Sequence, residues 1–252
     1  MKNVKGLPRK ENTLLSHVQL PVSKVKVTIR PFNVGHRKLF TLVKSSPSPA
    51  EIVDVIVTVA DAVSGISTAE LATADIEKIF IESRKLSSGS IIRKSYTCKN
   101  IVAVPDTDES ESLTKTCDTD VHVEFDLKEA AITDHKNFTK LIDVHGTTLT
   151  MEFRDIQAKD YLLMQSTDIM DMYYIAKSLL VSVIDSQENT SYTDWTGEEL
   201  NEFWDSLSPA DLEKVLNDFI LASPTHELHH TFRCPVCKYE ANMNLKGIFS
   251  FF

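Results

Sequence analysis

An internal repeat constrains this chain more than any other feature. Asp75-Ile-Glu-Lys-Ile-Phe80 and Asp211-Leu-Glu-Lys-Val-Leu216 share one pattern, and a cysteine follows each aspartate 23 positions later, at Cys98 and Cys234. In both places an amphipathic segment leads through a polar turn into an extended stretch that delivers the cysteine, Tyr96-Thr97-Cys98 and Phe232-Arg233-Cys234. A second cysteine follows each, Cys117 and Cys237, and after it comes a strand-like run ending at Leu127 or Leu245. All four cysteines are thus used at matching positions. A duplicated chain of 252 residues is expected to fold as two related halves, each large enough to bury a core without disulfides.

The rest of the pattern supports an α+β reading. Val18 to Ile29 alternates apolar and polar residues around Ser23-Lys24, as a hairpin with one buried face does, and Ile142 to Phe153 repeats this through His145-Gly146. Each hairpin runs into a mixed helical segment, Gly35 to Val43 and Ala158 to Met164. Ser48-Pro49 then opens a long helix striped by Ile52, Val55, Ile56 and Val59, matched by Ile169, Met172, Tyr173 and Ala176 and carried on to Leu179 and Leu180. The second copy has an insertion at about 186–207, where Thr196 and Glu199 form a capping box and Leu200, Phe203, Trp204 and Leu207 follow at helical spacing. Ser208-Pro209-Ala-Asp211 starts the next helix at once. The expected organisation is a basic tail over 1–16, a first α+β repeat over 17–140 and a second over 141–252. Each repeat is a β-hairpin, amphipathic helices and a cysteine-bearing hairpin.

Composition narrows the function. A net charge of −9 disfavours a nucleic-acid surface, and the one basic cluster, Lys2, Lys5, Arg9 and Lys10, reads as a solvated tail. The acidic run from Pro105 to Ser112 reads as a solvated loop. No apolar run approaches the roughly 18 to 20 residues of a membrane span, and the first residues lack a signal-peptide core. The expectation is a cytosolic protein with reduced thiols. With seven glycines in all and no Gly-rich phosphate loop, and with no convincing Ser/His/Asp set, an enzyme is disfavoured.

The cysteines admit three chemistries. Cys234-Pro-Val-Cys237 has the spacing with which one tight turn presents two thiolates to zinc, and Cys98 and Cys117 are placed to supply the other two. The 18 residues between Cys98 and Cys117 are the awkward part of that reading; four reduced thiols with no metal is the alternative. A redox pair is disfavoured because Tyr239 to Leu245 alternates like a strand, whereas a catalytic C-x-x-C opens a helix. His226-Glu227-Leu-His-His230 matches H-E-x-x-H, which binds catalytic zinc beside a glutamate base when it is helical. Here it is trapped between Pro224 and Pro235, so a zinc-dependent hydrolase using His226, Glu227 and His230 is the rival of another class. Phe249, Phe251 and Phe252 are costly to leave in water, about 2 kcal/mol each. They either enter the protein's own core or anchor a partner.

Taken in order, Leu20-Pro21, Val27-Thr-Ile29-Arg30-Pro31-Phe32, Asp75-Ile-Glu-Lys-Ile-Phe80, Tyr96-Thr97-Cys98, Phe232-Arg-Cys234-Pro-Val-Cys237, Leu245-Lys-Gly247 and Phe251-Phe252 resemble the baseplate hub assembly proteins of T-even-type contractile-tailed phages. The likeness spans nearly the whole chain. It implies a non-enzymatic role in building the tail, with baseplate hub or tape-measure proteins as partners, no nucleic acid and no membrane. Its place would be the host cytoplasm during assembly, or the virion baseplate if it stays as a permanent subunit. From the resemblance no catalytic residue carries over, only the cysteine positions; the spacing leaves a structural zinc and four free thiols as the two readings of them.

Overall fold

The computed structural model describes residues 14–43, 48–103, 114–133, 138–144, 147–161, 169–185, 190–193 and 196–251. The basic cluster at Lys2 to Lys10 and the acidic run from Pro105 to Ser112 lie outside them. So do Pro47, Met164, the His145-Gly146 turn and the start of the inserted segment.

The elements run in the order β1 (Ser16–Gln19), β2 (Lys26–Ile29), α1 (Val34–Val43), α2 (Pro49–Ser64), α3 (Thr73–Ser88), β3 (Ile91–Thr97), β4 (Ile101–Ala103), β5 (Thr114–Thr116), β6 (Asp120–Asp126) and β7 (Ala131–Ile132). They continue with β8 (Phe138–Val144), β9 (Thr147–Phe153), α4 (Ala158–Tyr161), α5 (Ile169–Leu179), β10 (Leu180–Asp185), β11 (Thr190–Tyr192), α6 (Gly197–Ser206), α7 (Pro209–Ala222), β12 (His226–Arg233) and β13 (Glu240–Lys246). A 3-10 turn, Ile248–Phe251, follows. The fold is α+β, with small antiparallel sheets.

Helix starts follow local chemistry. Ser48 caps α2 with Pro49 in the first turn, and Gly65 closes it in a left-handed conformation at φ 73°, where a side chain would be strained. Thr196 and Glu199 form a reciprocal capping box on α6, and Ser208 caps α7 ahead of Pro209. One expectation needs adjustment. The apolar stripe of α5 does not run on through Leu180, because Leu180–Asp185 instead pairs with β9 and β11 as a strand. The segment between α5 and α7 therefore holds a hairpin as well as the expected helix.

By contacts the chain forms two compact units. The first takes Met1–Ser87 and Asp134–Pro224, the second Ser88–Thr133 and Thr225–Phe252. In the first, the β1–β2 hairpin buries Leu20, Val27 and Ile29, and Phe32, Phe40 and Phe80 meet edge to face or tilted at 5.5–5.6 Å. Its other half is the antiparallel sheet β11-β10-β9-β8 with α5, α6 and α7, whose core joins Met151, Phe153, Ile175, Leu179, Val183, Trp204, Val215 and Leu216. A forked ion pair, Arg154 to Asp160 with both bonds at 2.8 Å, fixes the start of α4.

The second unit is the one that carries the cysteines. It is built from the hairpin β3–β6, the small hairpin β4–β5, and the sheet β13-β12-β7. β7, which follows β6 in the chain, adds to the edge of β12 through Ile132 opposite His226 and Ala131 opposite Glu227. Tyr96 packs on Phe232 at 4.8 Å, and Phe125 on His230 at 5.4 Å.

Candidate metal centre

Two hairpins of the second unit share one build. β3 ends at Thr97 and Cys98 follows at once; β12 ends at Arg233 and Cys234 follows at once. The return strands begin three residues after the second cysteines, at Asp120 after Cys117 and Glu240 after Cys237. The backbone bonds also match. Cys98 N–H donates to the Thr119 carbonyl at 2.8 Å, as Cys234 N–H does to that of Tyr239 at 2.8 Å. Asp118 N–H donates to the Cys98 carbonyl and Lys238 N–H to the Cys234 carbonyl, at 2.9 and 3.0 Å. Asp118 and Lys238 both hold left-handed backbone, φ 49° and 63°, which turns the chain sharply enough to aim two thiols the same way.

The long gap between Cys98 and Cys117 has a plain resolution. β4 and β5 pair through Ile101 opposite Thr116, Val102 opposite Lys115 and Ala103 opposite Thr114, zipping the base of the excursion shut. Cys117 N–H then bonds the Asn100 carbonyl at 2.8 Å, which returns the second thiol to the first.

The four sulfurs converge, all within 4.8 Å of one another. Cys98 Sγ lies 3.7 Å from Cys237 Sγ, and Cys117 Sγ 3.8 Å from Cys234 Sγ. A disulfide needs about 2.05 Å, so these are four separate thiols. A zinc–sulfur bond of about 2.3 Å in a tetrahedron sets its ligand sulfurs roughly 3.8 Å apart. The two close sulfur pairs match that edge, and the cluster is compatible with four ligands of one tetrahedral ion. Cys98 and Cys234 are fully buried, and Cys117 and Cys237 are half-buried.

The surroundings favour negative sulfur at Cys234 and Cys117 and oppose it at Cys98. Backbone N–H groups of Cys237 and Val236 point at Cys234 and, against its burial, lower its thiol to about 6. The Thr119 hydroxyl, 3.2 Å away, lowers Cys117. At Cys98 the Asn100 N–H would act the same way, but burial and the three neighbouring thiols outweigh it and push the group up to about 12. Four thiols this close cannot all ionise on their own. A cation held at their centre would remove that conflict, and binding it would release protons.

His226–His230 is the stretch that could have made a different centre. It lies in β12, where residues four apart are roughly 13 Å apart along the strand, so the one-turn spacing that H-E-x-x-H requires is not formed. His226 is buried, while His229 sits 3.1 Å from the Glu227 carboxylate. Glu227 is tied to Lys246 at 3.0 Å across the ladder, which holds its carboxyl below the usual value. Among the described residues, the four cysteines are the one group of His, Cys, Asp and Glu ligand atoms that converges, and no histidine belongs to it. Of the C-terminal phenylalanines, Phe251 is fully buried, Phe249 lies in the 3-10 turn, and Phe252 is outside the described residues. Among the described residues no helix is long and apolar enough to cross a membrane.

A family model described as "T4 bacteriophage base plate protein" matches residues 14–252. No curated protein and no solved structure matches the chain.

Proposed function

Because the chain belongs to the T4 bacteriophage base plate protein family, we propose that it is a non-enzymatic tail protein that assists assembly of the baseplate's central hub, with hub or tape-measure proteins as partners. The observation that carries this reading is the extent of the match, from residue 14 to 252. The strand geometry of His226–His230 speaks against the hydrolase rival. A second reading, a permanent structural subunit of the virion baseplate, is favoured by the family's own description, which names the base plate rather than its assembly.

Co-expression with the neighbouring tail proteins separates the two. An assembly factor raises the yield of complete hubs and is missing when finished particles are weighed by mass spectrometry. A permanent subunit appears in those particles at fixed stoichiometry. Hubs that form equally well without the chain, in particles that lack it, would sink both.

Within this role we read Cys98, Cys117, Cys234 and Cys237 as ligands of one structural zinc ion, supported by the sulfur spacing and the N–H groups aimed at the thiols. The repeats over 17–140 and 141–252 remain our reading of the chain's origin. The matched order of hairpin, helices and cysteine hairpin supports it. With Phe251 buried, a partner anchor at the C-terminus falls to Phe249 and Phe252.

A further inference from the structure

The turn that carries Cys234 and Cys237 is built a second time in this protein, without cysteines. Leu20-Pro21-Val22-Ser23-Lys24-Val25 matches Cys234-Pro235-Val236-Cys237-Lys238-Tyr239 at proline, valine and lysine. The backbones agree as well. Leu20 N–H donates to the Val25 carbonyl at 2.8 Å, as Cys234 N–H does to that of Tyr239. Lys24 is left-handed at φ 61°, beside 63° for Lys238. Each lysine ammonium folds back onto its proline carbonyl, Lys24 to Pro21 and Lys238 to Pro235. A side chain of the preceding strand bonds the lysine carbonyl in both, Gln19 at 3.0 Å and Arg233 at 3.3 Å.

What fills the turn differs. In the second unit, the N–H groups of Val236 and Cys237 face the Cys234 sulfur. In the first unit, the equivalent N–H groups of Val22 and Ser23 donate to the Asp75 carboxylate, at 2.8 and 2.9 Å. Asp75 is fully buried, and Leu20, standing where the first cysteine would be, is buried with it. One turn is therefore closed by a carboxylate and a leucine of its own unit, and the other faces the sulfur of Cys234.

We infer that the metal at the four cysteines is the staple on which the second unit alone folds, while the first unit closes the same turn with Asp75 and folds without metal. This rests on the reading of the cysteines as a zinc site. The second unit has fewer than about eighty residues, in two segments far apart in sequence, a size at which cores are commonly supplemented by a metal or by disulfides. Its two cysteine hairpins are also joined by a two-residue β7–β12 ladder, by the paired Thr133–Thr225 bonds beside it and by the Tyr96–Phe232 and Phe125–His230 contacts. Without the cation, Cys98 and Cys234 remain as buried thiols in a crowded cluster.

The test uses the full chain, expressed with zinc and assayed for metal per chain, then stripped with a chelator and followed by hydrogen exchange. One zinc per chain is expected. Stripping is expected to remove protection from Ile91–Thr97, Asp120–Asp126, His226–Arg233 and Glu240–Lys246, to leave Thr147–Phe153 and Leu180–Asp185 protected, and to be reversed by adding zinc. Asp75→Ala is expected to do the converse, exposing Ser16–Gln19 and Lys26–Ile29 with zinc content unchanged. Cys237→His, which preserves a zinc ligand, is expected to keep metal and protection where Cys237→Ala loses both. A stripped protein that keeps all its strands protected overturns the staple and leaves the zinc site standing. Loss of protection in both units overturns the division between them. A chain that takes up no zinc overturns the site itself.

Discussion

Asp75 and Asp211 hold equivalent places in the repeated pattern, yet the structure gives them unequal work, and the difference can be measured. Asp75 is fully buried and accepts two backbone N–H bonds from the β1–β2 turn, 53 and 52 residues away in sequence. Asp211 sits in the first turn of α7, where its carboxylate accepts a bond from the Ser208 hydroxyl at 2.6 Å while Ser208 itself caps the helix. Asp75→Ala strands the N–H groups of Val22 and Ser23. Hydrogen bonds to a charged group contribute about 1.5–3 kcal/mol each, and water reaching the exposed Ser23 recovers part of the loss. The expected net cost is about 3 kcal/mol. Asp211→Ala leaves the Ser208 cap in place and removes a favourable charge at a helix start, a cost of about 0.5–1 kcal/mol. For a unit of this size each kcal/mol lowers Tm by about 2–4 °C. The first unit's melting transition should therefore fall by about 6–12 °C in Asp75→Ala and by no more than about 4 °C in Asp211→Ala. Asp75→Asn, which keeps one acceptor oxygen but places an N–H₂ against a donor, should fall between them. Equal shifts for Asp75→Ala and Asp211→Ala would refute the assignment, as would a loss under about 1 kcal/mol at Asp75.

Three further outcomes are expected. Asp160→Ala removes a carboxylate that is 4% exposed and holds both Arg154 nitrogens and the Gln157 N–H; because water can reach Arg154, urea denaturation should show a loss of about 1.5–3 kcal/mol. Thr196→Ala breaks the α6 capping box and should cost about 1 kcal/mol by the same assay. Burial alone would raise Glu82, but hydrogen bonds from Lys85 and Lys78, both at 2.9 Å, outweigh it and hold its carboxyl below the ordinary 4.5. Its stabilisation is then complete above that value and fades as pH falls through the lower folded value. Urea midpoints of wild type and Glu82→Gln should accordingly differ by a constant amount at higher pH and converge as pH falls through the depressed folded value; a gap that widens on acidification would contradict this.

Features written in local chemistry were legible in the sequence. The starts of α2, α6 and α7 lie at Ser48-Pro49, Thr196-Gly-Glu-Glu199 and Ser208-Pro209 because caps act within a turn of themselves. The cysteine hairpins were legible for a related reason, since the residues around each Cys alternate with the period of a strand. What depended on distant pairing was not. Leu179-Leu-Val-Ser-Val-Ile184 is a short apolar run that periodicity alone leaves open to helix or strand, and its pairing with β9 and β11 decides for strand from Leu180. The return of Cys117 to Cys98 rests on the three-residue strands β4 and β5, too short to carry a periodic signal.

The β1–β2 turn shows a subtler limit. A reading that starts from cysteines finds Cys234-Pro-Val-Cys237 and passes over Leu20-Pro-Val-Ser23, although the two turns share the bond from the first residue's N–H to the sixth residue's carbonyl and a left-handed lysine. The shared determinant is a left-handed lysine and a pair of inward N–H groups that must meet an electron-rich partner, because a buried donor left unmatched costs about 1–3 kcal/mol. Sulfur meets them in one turn, and in the other a carboxylate arrives from α3. Nothing near Pro21 in the sequence announces that Asp75 is the partner. Ser23, exposed and bonded through its backbone, need not be cysteine, and Leu20, buried, must not be polar. The residues at the first and fourth positions of this turn thus record how its N–H groups are satisfied. With a cysteine at both, the N–H groups of the second turn face sulfur.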